Sequence, residues 1–156
     1  MKKKTERLTT PRFGEVVYTK DDLYRFPKGL VGLPSLQRFV MLTLDESGIF
    51  RCLQCVDDPA CAFVVVDPIL ARADYRVPID ATAAEEIGLT DLADAVVLAI
   101  AVVPDDVTKM TVNLRGPLLI NTRARTGLQL VHPDTEYGVR ESLVEALATE
   151  EHEIHA

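Results

Sequence analysis

The sequence predicts an all-β fold, a small antiparallel β-barrel-like single domain with a short helical insertion and a C-terminal helix. Short apolar segments recur at intervals of about ten residues, which is typical of barrels and sandwiches. Clusters of Pro, Gly and Asp separate these segments and predict turns between them. The length of 156 residues fits one domain that needs neither a metal nor a disulfide to bury a core.

The first half of the chain predicts four strands. β-branched and aromatic residues favour a strand at 13–18. Residues 27–34 hold two Pro and two Gly among apolar residues, which predicts a packed turn rather than a flexible linker. Residues 38–44 and 49–56 form a predicted hairpin. The continuous apolar run at 62–66 is typical of a strand buried on both faces.

The second half begins with residues that favour a helix rather than a strand. Asp80 or Thr82 is the expected start of a short Ala-rich helix, and Gly88 is its expected stop. A second run, 95–103, again predicts a strand buried on both faces. Further short extended segments are expected at 75–79, 109–114, 118–121 and 127–131.

The chain divides into three predicted regions. Residues 1–10 are polar and are expected to be a flexible lead-in. Residues 11–140 hold the β domain. Residues 141–156 are expected to form an acidic helical tail, because Leu143, Val144 and Leu147 have helical spacing.

The net charge of −7 is unevenly distributed along the chain. Residues 41–110 carry 13 acidic and 4 basic side chains, and residues 141–156 carry 5 Glu and no Lys or Arg. An acidic chain lacks the Lys and Arg contacts that nucleic-acid binding needs. The acidity serves either solubility or the attraction of a basic protein partner.

Nothing in the sequence indicates export or a membrane. No apolar run reaches 18 residues, and no apolar segment follows the lysines of the N-terminus. A cytoplasmic monomer with reduced thiols is therefore expected.

The three cysteines are the only hint of a metal site. Cys52 and Cys55 have C-x-x-C spacing and Cys61 is near, but the histidines lie far downstream. Positions three apart on a strand face opposite sides, so core packing is favoured over a zinc or redox site. We expect no metal and no cofactor, and a zinc module stays the weaker alternative.

No motif indicates catalysis. The chain has no G-x-S-x-G, no G-x-G-x-x-G and no P-loop. Its paired aspartates adjoin turns, where turn chemistry explains them. We expect no enzyme, and the alternative is a small-molecule-binding β-barrel or an unrecognised hydrolase.

Acidic turns between buried strands form a candidate binding rim. Their predicted rim charges for a basic partner are Asp57, Asp58, Asp67, Asp105 and Asp106, although plain turn chemistry explains them equally well. The candidate apolar anchors are Phe26, Leu30 and Tyr75. Phe39 and Phe63 fit a core better than a groove.

Several blocks, taken in order, resemble one family. They are residues 26–32 followed by Arg38-Phe-Val, Gln54 with Asp57 and Pro59, the run 62–68 with Tyr75 after it, and 111–121 followed by 127–129. Together they resemble the flagellar assembly factor FliW family over about residues 13–140. Leu33 and Gly116 depart from the family pattern but keep its apolar or small character.

The resemblance implies a small cytoplasmic all-β protein that is not an enzyme. It implies two protein partners, flagellin and the RNA-binding translational repressor CsrA. The implied mechanism is exchange between them: once flagellin leaves, the protein binds and antagonises the repressor, without touching RNA. The lead-in and the acidic tail lie outside the resemblance.

Overall fold

The strands of the protein form one barrel and one separate hairpin. The computed structural model describes residues 4–143. Within them, a short helix, α1 (Ala81–Glu86), accompanies the strands β1 (Thr5–Thr10), β2 (Gly14–Thr19), β3 (Leu23–Arg25), β4 (Arg38–Thr43), β5 (Arg51–Cys55), β6 (Ala62–Val66), β7 (Ala95–Val102), β8 (Thr111–Val112), β9 (Leu118–Asn121), β10 (Thr126–Gln129) and β11 (Glu141–Ser142).

Seven strands close into a barrel, which confirms the predicted fold class. The order runs β7-β6-β5-β4-β3-β10-β9, and β9 pairs with β7 to complete the circle. All neighbours are antiparallel except β3 and β10, which are parallel and share one register pair, Thr126 with Arg25. The short strands β8 and β11 extend the sheet beyond β7.

The inside of the barrel is filled by large side chains. Phe26 and Phe39 are fully buried and pack edge to face, with ring centroids 5.3 Å apart. The same cluster contains Leu53, Val65, Leu98, Leu118 and Ile120. This packed interior argues against a small-molecule-binding barrel, which would need an enclosed pocket with converging polar groups.

Three segments cover the outer surface of the barrel. The β1–β2 hairpin lays Leu8, Val16 and Tyr18 over Leu23 and Val40. Helix α1 packs on β9. The segment after β6 packs on β6 and β7, and so does the chain around Leu143. The barrel wall is therefore buried on both faces over much of its area, which explains its long apolar runs.

Local signals locate most elements well. The predicted hairpin at 38–56 forms β4 and β5, and the run 62–66 is β6. Helix α1 starts where Asp80 accepts a hydrogen bond from Ala83 N at 2.8 Å, and it ends before Gly88, whose φ is +65°.

The structure corrects two predicted strands. Residues 75–79 are not a strand; Tyr75 ends a turn in which its N–H bonds to Arg72 O at 2.9 Å. The return strand predicted at 109–114 shrinks to β8, because a 3₁₀ helix at Val107–Lys109, capped by Asp106, occupies the residues before it.

Both predicted ends of the chain also differ. Residues 5–10 are not a flexible lead-in but the strand β1, which is held by pairing with β2 and by burial of Leu8 and Thr10. The predicted tail helix would start at Glu141, but Glu141–Ser142 is β11, and the next residue, Leu143, is helical. Residues 144–156 of that tail lie outside the described residues.

Candidate functional site

Asp57 is an exposed residue whose carboxylate is held by the strand next to it. Its carboxylate accepts hydrogen bonds from Gln37 N at 2.9 Å, from Arg38 N at 2.8 Å and from Arg38 Nε at 2.9 Å. Burial alone would raise the pKa of Asp57, but these hydrogen bonds outweigh it and hold the pKa below its ordinary value. Asp57 therefore fastens the turn after β5 to the start of β4.

Three of the other predicted rim aspartates cap turns. Asp58 accepts from Ala60 N, and Asp67 accepts from Ile69 N at the start of a 3₁₀ helix. Asp106 accepts from both the hydroxyl and the N–H of Thr108, and the hydroxyl bond is the main reason that the pKa of Asp106 is lowered. All three residues are exposed, as is Asp105, so their charges still face solvent.

The predicted apolar anchors lie in the core. Phe26 is 0% exposed, and Leu30 closes the barrel interior at 4%. Tyr75 packs against His132 and Tyr137, and its hydroxyl donates to Leu114 O at 2.6 Å. Burial raises the pKa of Tyr75. All three are buried, so the structure does not present them on the surface as the predicted apolar anchors.

An apolar groove on the outer wall was missed by the sequence analysis. It has a volume of about 250 Å³ and is lined by Leu44, Asp45, Phe50, Val64, Val103, Met110 and Arg12. The apolar members come from the β4–β5 turn, from β6 and from both ends of the β7–β8 loop. They are dispersed over 67 positions of the sequence, so no local pattern groups them. The one local hint is Val103, an apolar residue that directly precedes Pro104.

The groove lies where one of the apolar core clusters reaches the surface. Leu44, Phe50 and Met110 are half-buried and pack against the cluster that contains Val64 and Leu143. Val103 and Val107 on the β7–β8 loop are 43% and 58% exposed, and Val102, the last residue of β7, is 59% exposed. Apolar surface of this kind, bordered by polar groups, is typical of sites that bind other proteins.

Carboxylates predominate around the groove. The β4–β5 turn carries Asp45 and Glu46, and the β7–β8 loop carries Asp105 and Asp106. The β7–β8 loop also carries Lys109, and Arg12, from the β1–β2 turn, belongs to the groove lining together with Asp45. A hydrogen bond from the Ser47 hydroxyl is the main reason that the pKa of Asp45 is lowered, so this side chain is charged at neutral pH. Two of the predicted rim aspartates, Asp105 and Asp106, lie on the loop whose two ends contribute Val103 and Met110 to the lining.

The cysteines occupy core positions. Cys52 and Cys55 are both 0% exposed. They lie three positions apart on β5, so they face opposite sides of the barrel wall, as predicted. Burial raises the pKa of both thiols. Within residues 4–143, no three His, Cys, Asp or Glu side chains come together as metal ligands would.

Among the described helices, none is long and apolar enough to cross a membrane. The fold and the surface together define a small β-barrel with a packed interior, with exposed acidic turns and an apolar groove on its outside.

Comparison with known proteins identifies the family of this barrel. The family model described as "FliW protein" matches residues 6–143. A flagellar assembly factor FliW from Moorella thermoacetica is 38% identical over 138 residues, which cover 88% of this chain and 87% of the relative. One from Bdellovibrio bacteriovorus is 36% identical over 136 residues, which cover 87% and 78%.

A solved structure agrees with the sequence relatives. The crystal structure of a flagellar assembly factor FliW superposes with a TM-score of 0.81 at 28% identity, covering 88% of this chain and 96% of that chain. The chain belongs to the FliW family of flagellar assembly factors.

Proposed function

We propose that this protein binds flagellin and, when flagellin leaves, binds and antagonises a CsrA-type translational repressor. The observation that carries the proposal is the FliW family match over residues 6–143, nearly the whole described chain. Flagellin synthesis is then coupled to flagellin export through exchange of one protein partner for the other. The protein acts in the cytoplasm, by contact alone, without catalysis and without binding RNA.

The charge distribution supports a basic partner. A protein that binds RNA carries Lys and Arg on its RNA-binding face. The exposed acidic turns of this barrel, which include Asp58, Asp67 and Asp105, attract such a partner and raise its association rate. Asp57 contributes to this field less than predicted, because its carboxylate is already paired with Arg38.

A binding and exchange experiment tests the proposal. The full chain is mixed separately with purified flagellin and purified repressor from the same organism, and each complex is measured by isothermal titration calorimetry. We expect a complex with each partner, release of the repressor when flagellin is added, and weaker repressor binding at high salt. If the chain binds neither partner in these titrations, the proposal is overturned.

The second arm separates protein contact from RNA contact. We expect the chain to relieve repression of a flagellin transcript in a purified translation reaction without shifting the naked RNA in a gel. A direct shift of the RNA by the chain alone would contradict the proposed mechanism.

A further inference from the structure

Cys55 and Cys61 face each other at the two ends of the β5–β6 turn. Strand β5 pairs with β6 as far as Gln54 opposite Ala62, and one further step places Cys55 opposite Cys61. The backbone continues the pairing there, since Cys55 N donates to Cys61 O at 2.9 Å. Residues opposite each other in such a pair have Cα atoms about 5.5 Å apart, which lies within the range of about 4.4–6.8 Å that disulfides span.

One residue of this turn contacts both sulfur atoms. The backbone N–H of Asp58 donates to Cys55 Sγ at 3.4 Å, and the Cys61 thiol donates to Asp58 Oδ2 at 3.5 Å. Both cysteines also pack in the same cluster of the barrel interior, Cys55 as a buried member and Cys61 against it. The two sulfur atoms therefore lie on the same side of the turn, which a bond between them requires.

The buried amide of Gln54 holds the turn that carries the two cysteines. Its Nε2 donates to Pro59 O at 2.8 Å, to Cys55 O at 3.0 Å and to Cys61 O at 3.3 Å. Gln54 is 0% exposed, so these hydrogen bonds lie in a medium of low dielectric constant that strengthens them. The two ends of the turn are thus held together before any bond joins the sulfur atoms, which lowers the entropy cost of forming that bond.

The two thiols differ in their access to solvent. Both are free thiols in this structure, and Cys55 is 0% exposed whereas Cys61 is half-buried. Burial is the main cause that raises the pKa of both thiols, and the Asp58 carboxylate raises the pKa of Cys61 further. Because the thiolate is the reactive form, both thiols react slowly at neutral pH, and Cys61 is the one that an oxidant in solution reaches.

We propose that Cys55 and Cys61 form a modification site, at which a peroxide joins their sulfur atoms in a disulfide across the ends of the β5–β6 turn. With hydrogen peroxide, the Cys61 thiolate attacks one oxygen and the O–O bond breaks, which gives a sulfenic acid and, with the proton that Cys61 lost, one water. The Cys55 sulfur then attacks the Cys61 sulfur and the S–O bond breaks. The Cys55 proton leaves with the hydroxyl group as a second water, so two electrons in all pass from the thiols to the peroxide.

The same bond can be opened again. A dithiol reductant attacks the disulfide, restores both thiols and is itself oxidised to a disulfide. Such transient bonds are the usual kind in reducing compartments. The inference does not rest on the proposed function, because it concerns the chemistry of the turn and not the identity of a partner.

Cys52 provides the matched control within the same strand. It lies opposite Val64 and three positions before Cys55, so it faces the other side of the barrel wall. It is 0% exposed, and burial raises the pKa of its thiol. We therefore expect Cys52 to take no part in the disulfide.

Thiol counting by mass spectrometry tests the pairing. The full chain is treated with hydrogen peroxide and then alkylated in denaturant. We expect the oxidised wild type to lose two hydrogen atoms in mass and to be alkylated at Cys52 alone, and dithiothreitol should restore alkylation at all three cysteines. Cys52→Ala should still form the disulfide, whereas Cys61→Ser should form none. Circular dichroism checks that both variants are folded.

Three results of this experiment would overturn the inference. They are a wild-type chain that keeps all three thiols, a disulfide that includes Cys52, and formation of the disulfide by Cys61→Ser. Each would show that the two facing cysteines are not the reacting pair.

Thermal unfolding tests whether the folded turn accommodates the bond. A disulfide that fits the native geometry stabilises the protein, so we expect the oxidised wild type to melt about 5 °C above the reduced wild type. The same peroxide treatment should leave the melting temperature of Cys61→Ser unchanged. A lower melting temperature for the oxidised wild type would show that the sulfur atoms are not aligned for a disulfide, and would contradict the inference.

Discussion

Gly127 is the residue that lets Phe26 occupy the centre of the barrel. A Cβ at position 127 would lie 2.5 Å from the Phe26 ring, closer than real Cβ contacts. The φ of Gly127 is not positive, so space alone, and not backbone strain, requires glycine here. Phe26 in turn cannot move easily, because it is fully buried against Phe39.

We expect Gly127→Ala to lower the free energy of unfolding by about 3 kcal/mol, because overpacking a dense core forces side chains off their preferred rotamers. The measurement is equilibrium unfolding in urea. Adding Phe26→Leu should recover part of that loss, giving a non-additive cycle. The control Gly138→Ala meets only ordinary contacts at 3.7 Å and should have little effect. Additive effects of the two core changes would contradict this steric explanation.

Asp57 should make stability depend on pH. Its pKa is lowered in the folded protein, so the stabilisation that it contributes is present above the ordinary Asp value of about 3.9 and is lost as the pH falls through the lowered pKa. The three hydrogen bonds to this carboxylate explain the direction.

We expect Asp57→Ala to cost about 2 kcal/mol of unfolding free energy at pH 7, as the loss of charge-assisted hydrogen bonds does elsewhere. The difference from wild type should shrink as the pH is lowered from about 5 to about 3. Urea unfolding at several pH values measures it, with Asp105→Ala as a control that removes an exposed carboxylate. A difference that stays constant with pH would show that Asp57 acts without its charge.

At the scale of elements, the β1–β2 hairpin is attached to the barrel by the packing of apolar side chains. Its two strands form a separate sheet, and Leu8, Val16 and Tyr18 attach it to Leu23 and Val40. A two-stranded hairpin is marginally stable by itself. The hairpin should therefore open at a lower free energy than the barrel strands.

We expect hydrogen exchange to be faster for the amides of β1 and β2 than for those of β5 and β6. Leu8→Ala should speed exchange in the hairpin further while leaving β5 and β6 nearly unchanged. The control Val17→Ala changes an apolar residue of the same hairpin that is 56% exposed. Uniform protection across hairpin and barrel would show that they open together.

At the scale of the whole molecule, the barrel closes at one narrow seam. Strands β3 and β10 share a single register pair, and Arg125 reinforces it. The carbonyl of Arg125 accepts from Arg25 N at 2.9 Å, and its guanidinium donates to Asp22 O and Leu23 O and lies 4.1 Å over the Tyr24 ring. Arg125 keeps these contacts despite a φ of +54°.

We expect Arg125→Ala to lower the free energy of unfolding by about 2 kcal/mol, since it removes two charged hydrogen bonds and a cation–π contact. Arg125→Lys should restore little, because an ammonium group lacks the planar fork that reaches both carbonyls. The control Arg123→Ala changes an exposed neighbour and should cost less than about 0.5 kcal/mol. Urea unfolding measures the stability of each variant. Equal losses of unfolding free energy for the Arg123 and Arg125 variants would contradict a role for Arg125 at the seam.

What the sequence by itself determined is local. A run of Val and Phe predicts β6, a turn between two apolar segments predicts β4 and β5, and Asp80 with Gly88 bounds α1. Each signal lies within a few residues of the element that it specifies, because strand propensity, turn chemistry and helix capping act over that range. The family resemblance was likewise carried by short blocks in order.

Only the tertiary structure decided which side chains are exposed and which are buried. Phe26, Leu30 and Tyr75 are apolar residues beside turns, and no local pattern separates a core residue from an anchor there. Strand β1 is polar in sequence, yet it forms because it pairs with β2 and packs against the barrel wall. The groove joins residues that are far apart along the chain, and it exists only because the pairing of β5 with β6 and of β6 with β7 brings the β4–β5 turn near the β7–β8 loop.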